Sequence, residues 1–424
     1  MPGPQVAKPW ERRLRDLSQL LKNCATTYFE PELFRMNINQ FLQTARTVTF
    51  IIQKNKASIR DYGPWYDQHV IQGWHEDTIM QWAKDARNVI EKEGDLELNS
   101  TLRIVLLFSY LEEQDWVAPI DSPKVLHLGI KRIVRYAQKK LPTAISENAA
   151  LKIERTWIAD SLPAVELLLA IAHVYSQLYR CCRALGNHLD LPIDARIPHP
   201  SAAATLREEA RRVSYIKLHG MGQYEIKTKS VALELNFEPP AGFRERMETL
   251  AQNGCAPTNL RESMGFLSEI AQQIFTHYGN HAPKLFVFDA KWRMVDMCGT
   301  EFEDQADKYI FWRSIAERVA TSQAHAIIWI AEAWIRDAKR PLQGRIREMP
   351  IVGENLHVTG FDRTGKIEEM SWDILRESDD RPPRLRRRPD DEGVFQNQIP
   401  YFFVPLMRAM KIPDPKNIGL EHER

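Results

Sequence analysis

The 424-residue sequence lacks the features that mark several large classes of protein. Its 57 Lys and Arg residues nearly balance its 56 Asp and Glu residues, which leaves a formal net charge of +1. This balance argues against a surface that attracts nucleic acid over its whole area, although a local basic groove is compatible with it. The most apolar stretch, residues 165–174, is shorter than the roughly 20 residues needed to cross a bilayer. We therefore expect no membrane span.

Cysteine is scarce, and its spacing fits neither a disulfide framework nor a metal site. The five cysteines are Cys24, Cys181, Cys182, Cys255 and Cys298, and no two of them form a C-x-x-C pair. The N-terminal residues 1–10 also lack the apolar core of a signal peptide. Together these observations predict a reduced, cytoplasmic protein.

Common cofactor motifs are absent as well. The sequence contains no G-x-x-x-x-G-K-[ST], G-x-G-x-x-G or G-x-S-x-G, so nucleotide hydrolysis, dinucleotide binding and serine-hydrolase chemistry lack their usual scaffolds. The closest histidine pairs, His69 with His75 and His277 with His281, do not have the spacing of a zinc site. We therefore expect no cofactor and no bound metal.

The remaining composition is that of an ordinary globular protein, with 44% hydrophobic and 27% charged residues. A chain of this length favours two or three domains. Apolar residues recur at helical spacing through the first 190 residues. The predicted helices are Trp10–Phe29, Pro31–Ile52, one from about Glu76 to Gly94, Thr101–Gln114, Pro123–Lys140 and Glu147–Leu185, with a turn at 61–66.

The second half has a different pattern, in which short β-rich runs alternate with helices. A proline-containing linker at Leu189–Pro200 separates it from the first half. The predicted strands are Tyr215–His219, Tyr224–Lys227, Val231–Phe237, Leu285–Asp289, Arg293–Met297, Ala326–Ile335, Leu356–Phe361, Lys366–Ile374 and Val394–Val404. Helices are predicted at Arg244–Gln252, Asn259–Tyr278 and Asp304–Ser322, and the charged segment Glu377–Gly393 is interpreted as a loop.

We therefore predict an α+β chain with an all-α N-terminal bundle followed by a C-terminal α+β domain that contains an antiparallel sheet. The bundle covers residues 1–190, and a connecting region with short strands and helices covers 191–280. The α+β domain covers 281–412, and a tail covers 413–424.

One local pattern resembles a known family. Asp85-Ala-Arg87-Asn88 precedes Glu91-Lys-Glu93-Gly94, and the helix at 39–54 lies upstream. This arrangement is similar to the HEPN family of α-helical bundle proteins, which are frequent in bacterial toxin and antiviral systems and include many metal-independent ribonucleases. The family motif is an Arg, often followed by Asn, Asp or His, and then a His five to seven residues after the Arg.

The resemblance implies roles for particular residues. Arg87 would stabilise the developing charge, and a His would move the proton of the RNA 2′-hydroxyl. Lys92, Glu93 and Gly94 occupy the positions of that His, so the motif is degenerate, and Glu93 could replace it only with a pKa raised by burial. The alternative is that Arg87 and Asn88 lie at a helix end without a catalytic role, where an Arg also complements the helix dipole.

A second candidate site is the Asp289-Ala-Lys291 sequence at the end of a predicted strand. It resembles the metal-nuclease pattern in which carboxylates hold Mg²⁺ and a lysine supports the attacking water. No Asp occurs between Asn259 and Leu285 to complete such a site, which favours a hairpin turn in which Asp289 binds backbone amides. Glu332 and Glu354 could line a pocket with Asp289, or could lie on the polar face of a strand.

These patterns lead to one functional prediction and two rivals. The prediction is a bacterial defence or toxin–antitoxin component that binds RNA or a protein partner through a degenerate HEPN-like bundle. The rivals are a ribonuclease or metal-dependent nuclease centred on Asp289 and Lys291, and a non-catalytic structural subunit. A homodimer is expected because the first helices carry more aromatic side chains than a thin bundle readily buries. These are Trp10, Phe29, Phe34, Trp65, Trp74 and Trp82.

Overall fold

The chain divides into two compact units. The computed structural model describes residues 8–120, 123–140, 148–201, 213–218, 245, 257–299, 301–336, 349–376, 383–389 and 399–413. Unit 1 consists of Met1–Leu106 and Trp116–Glu225, and unit 2 consists of Leu107–Asp115 and Ile226–Arg424. The predicted α+β class is confirmed, since a helical N-terminal region is followed by a C-terminal region with an antiparallel sheet. The domain boundaries at 190, 280 and 412 stay predictions.

Unit 1 begins with helices that bury one stripe each. The helices are α1 (Pro9–Thr26), α2 (Pro31–Lys54), α3 (Tyr62–Tyr66), α4 (Thr78–Lys92), α5 (Ile130–Lys140) and α6 (Leu167–His188). Pro9 and Pro31 occupy the first turns of α1 and α2, where a missing amide proton costs no intrahelical bond. The segment predicted as a turn at 61–66 is instead the short helix α3, and the π-helical turn Asp67–Gln72 follows it.

A four-stranded sheet completes unit 1. Its strands are β1 (Leu98–Leu107), β2 (Trp116–Val117), β3 (Ala150–Ala159) and β4 (Val213–Lys217), in the order β2-β1-β3-β4. The helix predicted at Thr101–Gln114 and the first part of the helix predicted at Glu147–Leu185 are therefore wrong. In β3, every second residue from Ile153 to Ala159 is buried, which is the period of a strand. The sheet therefore follows the first four helices, and α5 and α6 lie between its strands in the sequence.

The aromatic side chains of the first helices pack within unit 1. Trp10, Phe34, Trp65 and Trp82 are buried in its hydrophobic core, while Phe29 and Trp74 are partly buried against it. The aromatic side chains of the first helices therefore do not support self-association, because unit 1 buries or partly buries them by itself. The homodimer remains a prediction without that support.

Unit 2 is a six-stranded sheet with helices on both faces. Its strands are β5 (Lys284–Phe288), β6 (Met294–Gly299), β7 (Ala326–Arg336), β8 (Ile351–Asp362), β9 (Ile367–Leu375) and β10 (Arg384–Arg387), in the order β10-β9-β8-β7-β5-β6, with every neighbouring pair antiparallel. Helix α7 (Leu260–Tyr278) packs on one face. Helices α8 (Gln305–Ser322) and α9 (Val404–Ala409) pack on the other. The two hairpins predicted at 285–297 and 356–374 are confirmed.

Two predictions in unit 2 are corrected. Part of the segment interpreted as a loop at Glu377–Gly393 is the edge strand β10, which pairs with β9 from Arg384 to Arg387. Arg386 and Arg388 also bind the carboxylate of Asp373 on β9, at 2.8 and 2.5 Å. The last predicted strand instead contains a 3₁₀ turn at Tyr401–Phe403 and the start of α9. The elements predicted at 224–237 lie outside the described residues.

The short segment Leu107–Asp115 interrupts unit 1 in sequence but belongs to unit 2. Tyr110 packs edge-on against Tyr309 of α8, with ring centroids 4.9 Å apart, and accepts a hydrogen bond from Gln305 at 2.9 Å. Asp115 forms an ion pair with Arg313, and the two side chains are only 9% and 5% exposed. The pair lies in low-dielectric surroundings, and Arg313 also lies 3.6 Å from Glu112. The loss of either member breaks the closest ion pair of the other, which stays buried.

We predict that Arg313→Met lowers the free energy of unfolding by about 3–5 kcal/mol, because it breaks the buried ion pair and leaves the Asp115 carboxylate buried. The double variant Arg313→Met/Asp115→Leu should recover most of that loss, since it removes both charges. Urea denaturation of the wild type, both single variants and the double variant measures the coupling. The exposed pair Arg13–Asp16 is the control and should contribute less than about 1 kcal/mol. A double variant as unstable as the sum of the single variants would contradict this assignment.

Candidate anion-binding groove

Helix α6 lines a groove in unit 1 with its exposed side. The groove has a volume of about 440 Å³, within the usual range for sites that bind small molecules. Five residues of α6 and three residues of the chain that follows it form the walls. They are Ala172, Ser176, Tyr179, Arg180, Arg183, His199, Pro200 and Ser201. We call this set the α6 groove.

The first turn of α6 is fixed by a hydrogen-bonded network in the core. Glu166 caps the helix by accepting a hydrogen bond from the Leu169 amide at 3.0 Å. The Tyr28 hydroxyl lies 3.0 Å from the other Glu166 oxygen and 3.0 Å from the Arg155 carbonyl. The Trp157 indole donates to the Tyr28 carbonyl at 2.9 Å. The turn between α1 and α2, strand β3 and the start of α6 are thereby joined.

Arg155 is a charged member of this region and is only 1% exposed. Its guanidinium donates to the Leu128 carbonyl at 2.5 Å and lies 5.2 Å from the centre of the Trp157 ring. Burial lowers the pKa of Arg155 to about 10, an effect that nearby Tyr28 and Glu30 oppose. The side chain therefore stays charged at neutral pH inside unit 1.

A second network ties α6 to α4. Asp77 caps α4 by accepting hydrogen bonds from the amides of Ile79 and Met80 at 3.1 and 3.0 Å. Its other oxygen lies 2.7 Å from His173 Nε2 and accepts from Gln177 at 3.1 Å. Burial alone would raise the pKa of Asp77, but the hydrogen bonds from His173 and from the two amides outweigh burial and lower it.

The buried side of α6 includes two adjacent thiols, Cys181 and Cys182. Burial raises the pKa of Cys181 to about 12 and that of Cys182 well above its usual value. Both groups therefore remain protonated at neutral pH, and a protonated, buried thiol is a poor nucleophile. The residues of α6 that line the groove lie on the opposite side of the helix.

The chain after α6 turns back along the helix and supplies the second wall. The Leu191 amide donates to the Gly186 carbonyl at 2.8 Å, and the Tyr175 hydroxyl donates to the Pro198 carbonyl at 2.5 Å. A Cβ atom on Gly186 would lie 2.6 Å from the Leu191 carbonyl oxygen, so only glycine permits this approach. The segment predicted as a linker at Leu189–Pro200 therefore contributes His199 and Pro200 to the wall of the groove.

This return places a histidine and a serine beside Tyr179. The His199 ring meets the Tyr179 ring edge-on at 5.3 Å. The Ser201 amide donates to His199 Nδ1 at 3.2 Å, and the Ser201 hydroxyl lies 2.7 Å from the same nitrogen. Because Nδ1 accepts from the amide, a neutral His199 carries its proton on Nε2, where it can donate to a ligand.

The charge of the α6 groove is positive. Arg180 and Arg183 lie one turn apart on the same helix and are both exposed. None of the eight lining residues is acidic, and neither guanidinium has an ion-pair partner within the described ranges. Guanidinium, hydroxyl and imidazole groups together form a set of donors that suits phosphoryl or carboxylate oxygens.

The residues of the HEPN-like pattern lie elsewhere in unit 1. Arg87 forms an ion pair with Glu91 at 2.6 Å, donates to Asn88 at 3.1 Å, and lies 5.7 Å from the centre of the Phe50 ring. Glu93 is exposed at the end of α4, where its amide donates to the Val89 carbonyl at 2.8 Å. The guanidinium of Arg87 is therefore neutralised by a helix neighbour rather than paired with Glu93.

Asp289 and Lys291 lie in the hairpin turn between β5 and β6. The Asp289 carboxylate accepts from the amides of Lys291 and Arg293 at 2.8 and 3.0 Å, and binds the Arg293 guanidinium at 2.6 and 2.8 Å. The side-chain and backbone bonds from Arg293 hold the pKa of Asp289 below its usual value. Both oxygens of the Asp289 carboxylate therefore accept hydrogen bonds from residues of its own turn.

The sheet does not bring Asp289 and Glu332 together. Phe288 pairs with Ala326, so Glu332 lies six residues further along β7, roughly 20 Å away at the rise of a strand. Glu332 is half-buried and accepts a hydrogen bond from the His281 amide, while Glu354 binds Arg376 at 2.7 Å. Burial raises the pKa of Glu332 more than its hydrogen bond and Arg376 lower it.

Within the part of the chain that the structure describes, no group of three or more His, Cys, Asp or Glu residues could hold a metal ion. No helix among these residues is long and apolar enough to cross a membrane. The most informative feature that sequence reasoning missed is the pair Arg180 and Arg183. The sequence pattern could have identified these two arginines, because they lie on the polar side of a helix whose other side is continuously apolar.

Comparisons with known proteins identify relatives over nearly the whole length. Residues 6–411 match the family described as Bacteriophage lambda protein ea47. The chain is 42% identical to Protein ea47 of Escherichia phage lambda over 403 residues, which is 95% of this chain and 97% of that protein. No solved structure matches the chain.

These matches overturn the functional prediction from the sequence. The resemblance to the HEPN family is wrong, because the full-length match is to a different family and no HEPN family is found. The predicted role in bacterial defence or in a toxin–antitoxin pair is wrong for the same reason, as is RNA binding through such a bundle. The nuclease and structural-subunit rivals also receive no support. A two-residue match on one helix was too short to identify a family.

We predict that Gly186→Ala displaces the returning chain and destabilises the protein by about 1–3 kcal/mol, the usual cost of forced overpacking. The matched control is Gly265→Ala in the interior of α7, where a new Cβ atom meets nothing within 4 Å. That substitution should stabilise by roughly 0.5–1 kcal/mol, the ordinary gain of alanine over glycine in a helix. Thermal unfolding of both variants measures the difference. Equal effects of the same sign would contradict the close approach at Gly186.

We predict that Asp77→Asn destabilises at neutral pH and has less effect in acid. Asparagine keeps the helix cap but removes the charged bond to His173. Because the pKa of Asp77 is lower in the folded protein, its contribution is complete above the unfolded-state pKa of about 3.9 and is lost as the pH falls through the folded value. Urea denaturation of both proteins at pH 7 and at about pH 3 tests this. A difference that grows in acid would contradict it.

Proposed function

Because the chain belongs to the Bacteriophage lambda protein ea47 family over residues 6–411, we propose that its function is carried by the α6 groove, which lies inside the matched length. The proposed activity is the binding of a small phosphorylated ligand. The main support for this proposal is the pair Arg180 and Arg183, which have no acidic partners in the described ranges. They share a groove of about 440 Å³ with hydroxyl and imidazole groups.

The donor set supports a phosphoryl group in particular. Arg180 and Arg183 offer planar forks that bind two oxygens at once. Ser176 and His199 add single donors of shorter reach. A tetrahedral phosphoryl group offers several acceptor oxygens to such converging donors, while a carboxylate offers two in one plane. The groove volume suits a ligand of small-metabolite size rather than a polymer.

The groove is also pre-formed, which favours binding. Glu166 and Tyr28 fix the start of α6, and Gly186 fixes the return of the chain that carries His199. Side chains mounted on a packed helix lose less conformational freedom on binding than side chains on a free loop, so less of the interaction energy is spent on ordering. The arginine stems still sample rotamers, and a bound anion would fix them.

We predict that Arg180→Gln and Arg183→Gln each weaken pyrophosphate binding at least about tenfold, because a hydrogen bond to a charged group contributes roughly 1.5–3 kcal/mol. Isothermal titration of the full chain with pyrophosphate, at fixed ionic strength, measures the affinity. Citrate serves as the carboxylate probe and should bind more weakly. Added NaCl should reduce the affinity, because both arginines are exposed to solvent.

The matched control is Arg13→Gln, an exposed arginine of the same unit that pairs with Asp16 on α1. It removes the same charge and should leave pyrophosphate affinity unchanged. Circular dichroism checks that all variants stay folded. The proposal is wrong if the wild type binds no pyrophosphate at millimolar concentration, or if Arg13→Gln costs as much affinity as the groove variants.

A further inference from the structure

Helix α5 of unit 1 lies in a segment that concentrates positive charge. The 18 residues from Pro123 to Lys140 contain six Lys and Arg residues and no Asp or Glu. The whole chain has 57 Lys and Arg against 56 Asp and Glu, so the residues outside this segment carry a formal charge of −5. The nearly neutral total therefore conceals a local cationic region.

Four of these cations lie together on the exposed side of α5. They are Lys131, Arg132, Arg135 and Lys139. At 3.6 residues per turn, the four positions fall within an arc of about 100° and extend about 12 Å along the helix axis. None of the four forms an ion pair within the described part of the chain. We call these four side chains the α5 face.

Packing of the other side of α5 holds this face toward solvent. Ile130, Ile133 and Ala137 are buried, at the helical spacing expected for one packed stripe. The approach to the helix is fixed by Arg155, whose guanidinium donates to the Leu128 carbonyl at 2.5 Å. The cations are therefore mounted on a packed element and can meet a ligand without rearrangement of the backbone.

Glu30 lies against the start of α5, where a Cβ atom on Gly129 would come within 2.8 Å of its carboxylate oxygen. The charge of Glu30 also acts on Arg155, where it opposes the effect of burial on the pKa of that guanidinium. Among the described residues, Glu30 forms no ion pair with the α5 face. The four cations of the face therefore keep their full charge for a partner.

A row of unpaired cations complements a rigid ligand with closely spaced negative charges. Double-stranded DNA carries one negative charge per roughly 1.7 Å of its axis, so about seven phosphate charges lie along a length equal to that of the α5 face. We infer that the α5 face binds the phosphate backbone of double-stranded DNA. Contacts to phosphates carry no direct sequence information, so this binding is independent of base sequence.

The other residues of α5 disfavour other polyanions. A helix that binds a membrane surface inserts its apolar side, whereas the apolar stripe of α5 is buried in the protein. Single-stranded nucleic acid binds through aromatic side chains on which bases stack. The one aromatic residue of α5 is Tyr136, and its hydroxyl donates to the Pro119 carbonyl. Double-stranded RNA has a narrow major groove that side chains do not enter, so its phosphates are less accessible to a helix.

The experiment titrates a fluorescently labelled DNA duplex with the full-length protein and follows the anisotropy at several NaCl concentrations. Four phosphate contacts predict a slope of log K against log [NaCl] of roughly −3.6, which is a loss of affinity of roughly 150-fold between about 50 and 200 mM NaCl. Single-stranded DNA of the same length, an RNA duplex and vesicles that contain anionic lipid are compared under the same conditions. Each should bind more weakly than the DNA duplex.

The double variant Lys131→Gln/Arg135→Gln removes two of the four contacts. It should reduce the size of the salt slope by about 2 and the affinity at about 50 mM NaCl by at least about tenfold. The matched control is Arg12→Gln/Lys84→Gln, which removes one exposed arginine and one exposed lysine from α1 and α4 of the same unit. It should leave the slope unchanged. Glutamine has nearly the helix propensity of lysine and arginine, and circular dichroism checks that both proteins stay folded.

The inference is overturned if the wild type binds no DNA duplex at about 50 mM NaCl and about 100 μM protein, the weak end of non-specific binding. It is also overturned if single-stranded DNA, the RNA duplex or anionic vesicles bind as tightly, or if the control variant costs as much affinity as the α5 variant. Arg183→Gln in the α6 groove should leave the salt slope unchanged. A failure of DNA binding is therefore distinguishable from a failure of pyrophosphate binding.

Discussion

The groove in unit 1 depends on one hydroxyl group, that of Tyr28. This group lies within 3.0 Å of both Glu166 and the Arg155 carbonyl, and it also accepts from the Trp157 amide at 3.3 Å. A buried carboxylate such as Glu166 is stable only when its oxygens are hydrogen-bonded. Tyr28 bonds one oxygen and the Leu169 amide bonds the other, so the capping residue of α6 is held from two sides. The direction of α6 follows from that arrangement.

Contact with solvent sets the electrostatics of the α6 groove. In the α6 groove, two exposed cations stay in contact with solvent, so their affinity for an anion depends on salt and costs little desolvation.

Much of the fold could be predicted from the sequence, because the spacing of buried residues along one helix or strand can be read from a short stretch of sequence. The stripe Trp10, Leu14, Leu17 and Leu21 identifies α1, and the hairpin around Asp362-Arg-Thr-Gly365 identifies β8 and β9, with Gly365 at φ = +77°. Strand β3 was misassigned because its outward residues, such as Lys152 and Glu154, are long charged side chains that also suit helices. The groove could not be predicted, since His199 reaches Tyr179 only through the contact between Gly186 and Leu191.

The segment Leu107–Asp115 has a consequence for how such a chain can change in evolution. Its sequence lies within the span of unit 1, yet its side chains are partners of residues in unit 2. A single genetic crossover between two relatives at any point between residue 115 and the start of α8 would join one parent's segment to the other parent's α8. Asp115 and Arg313 would then come from different ancestors. Recombination can therefore exchange the two units cleanly only through two further breakpoints that carry these nine residues with unit 2.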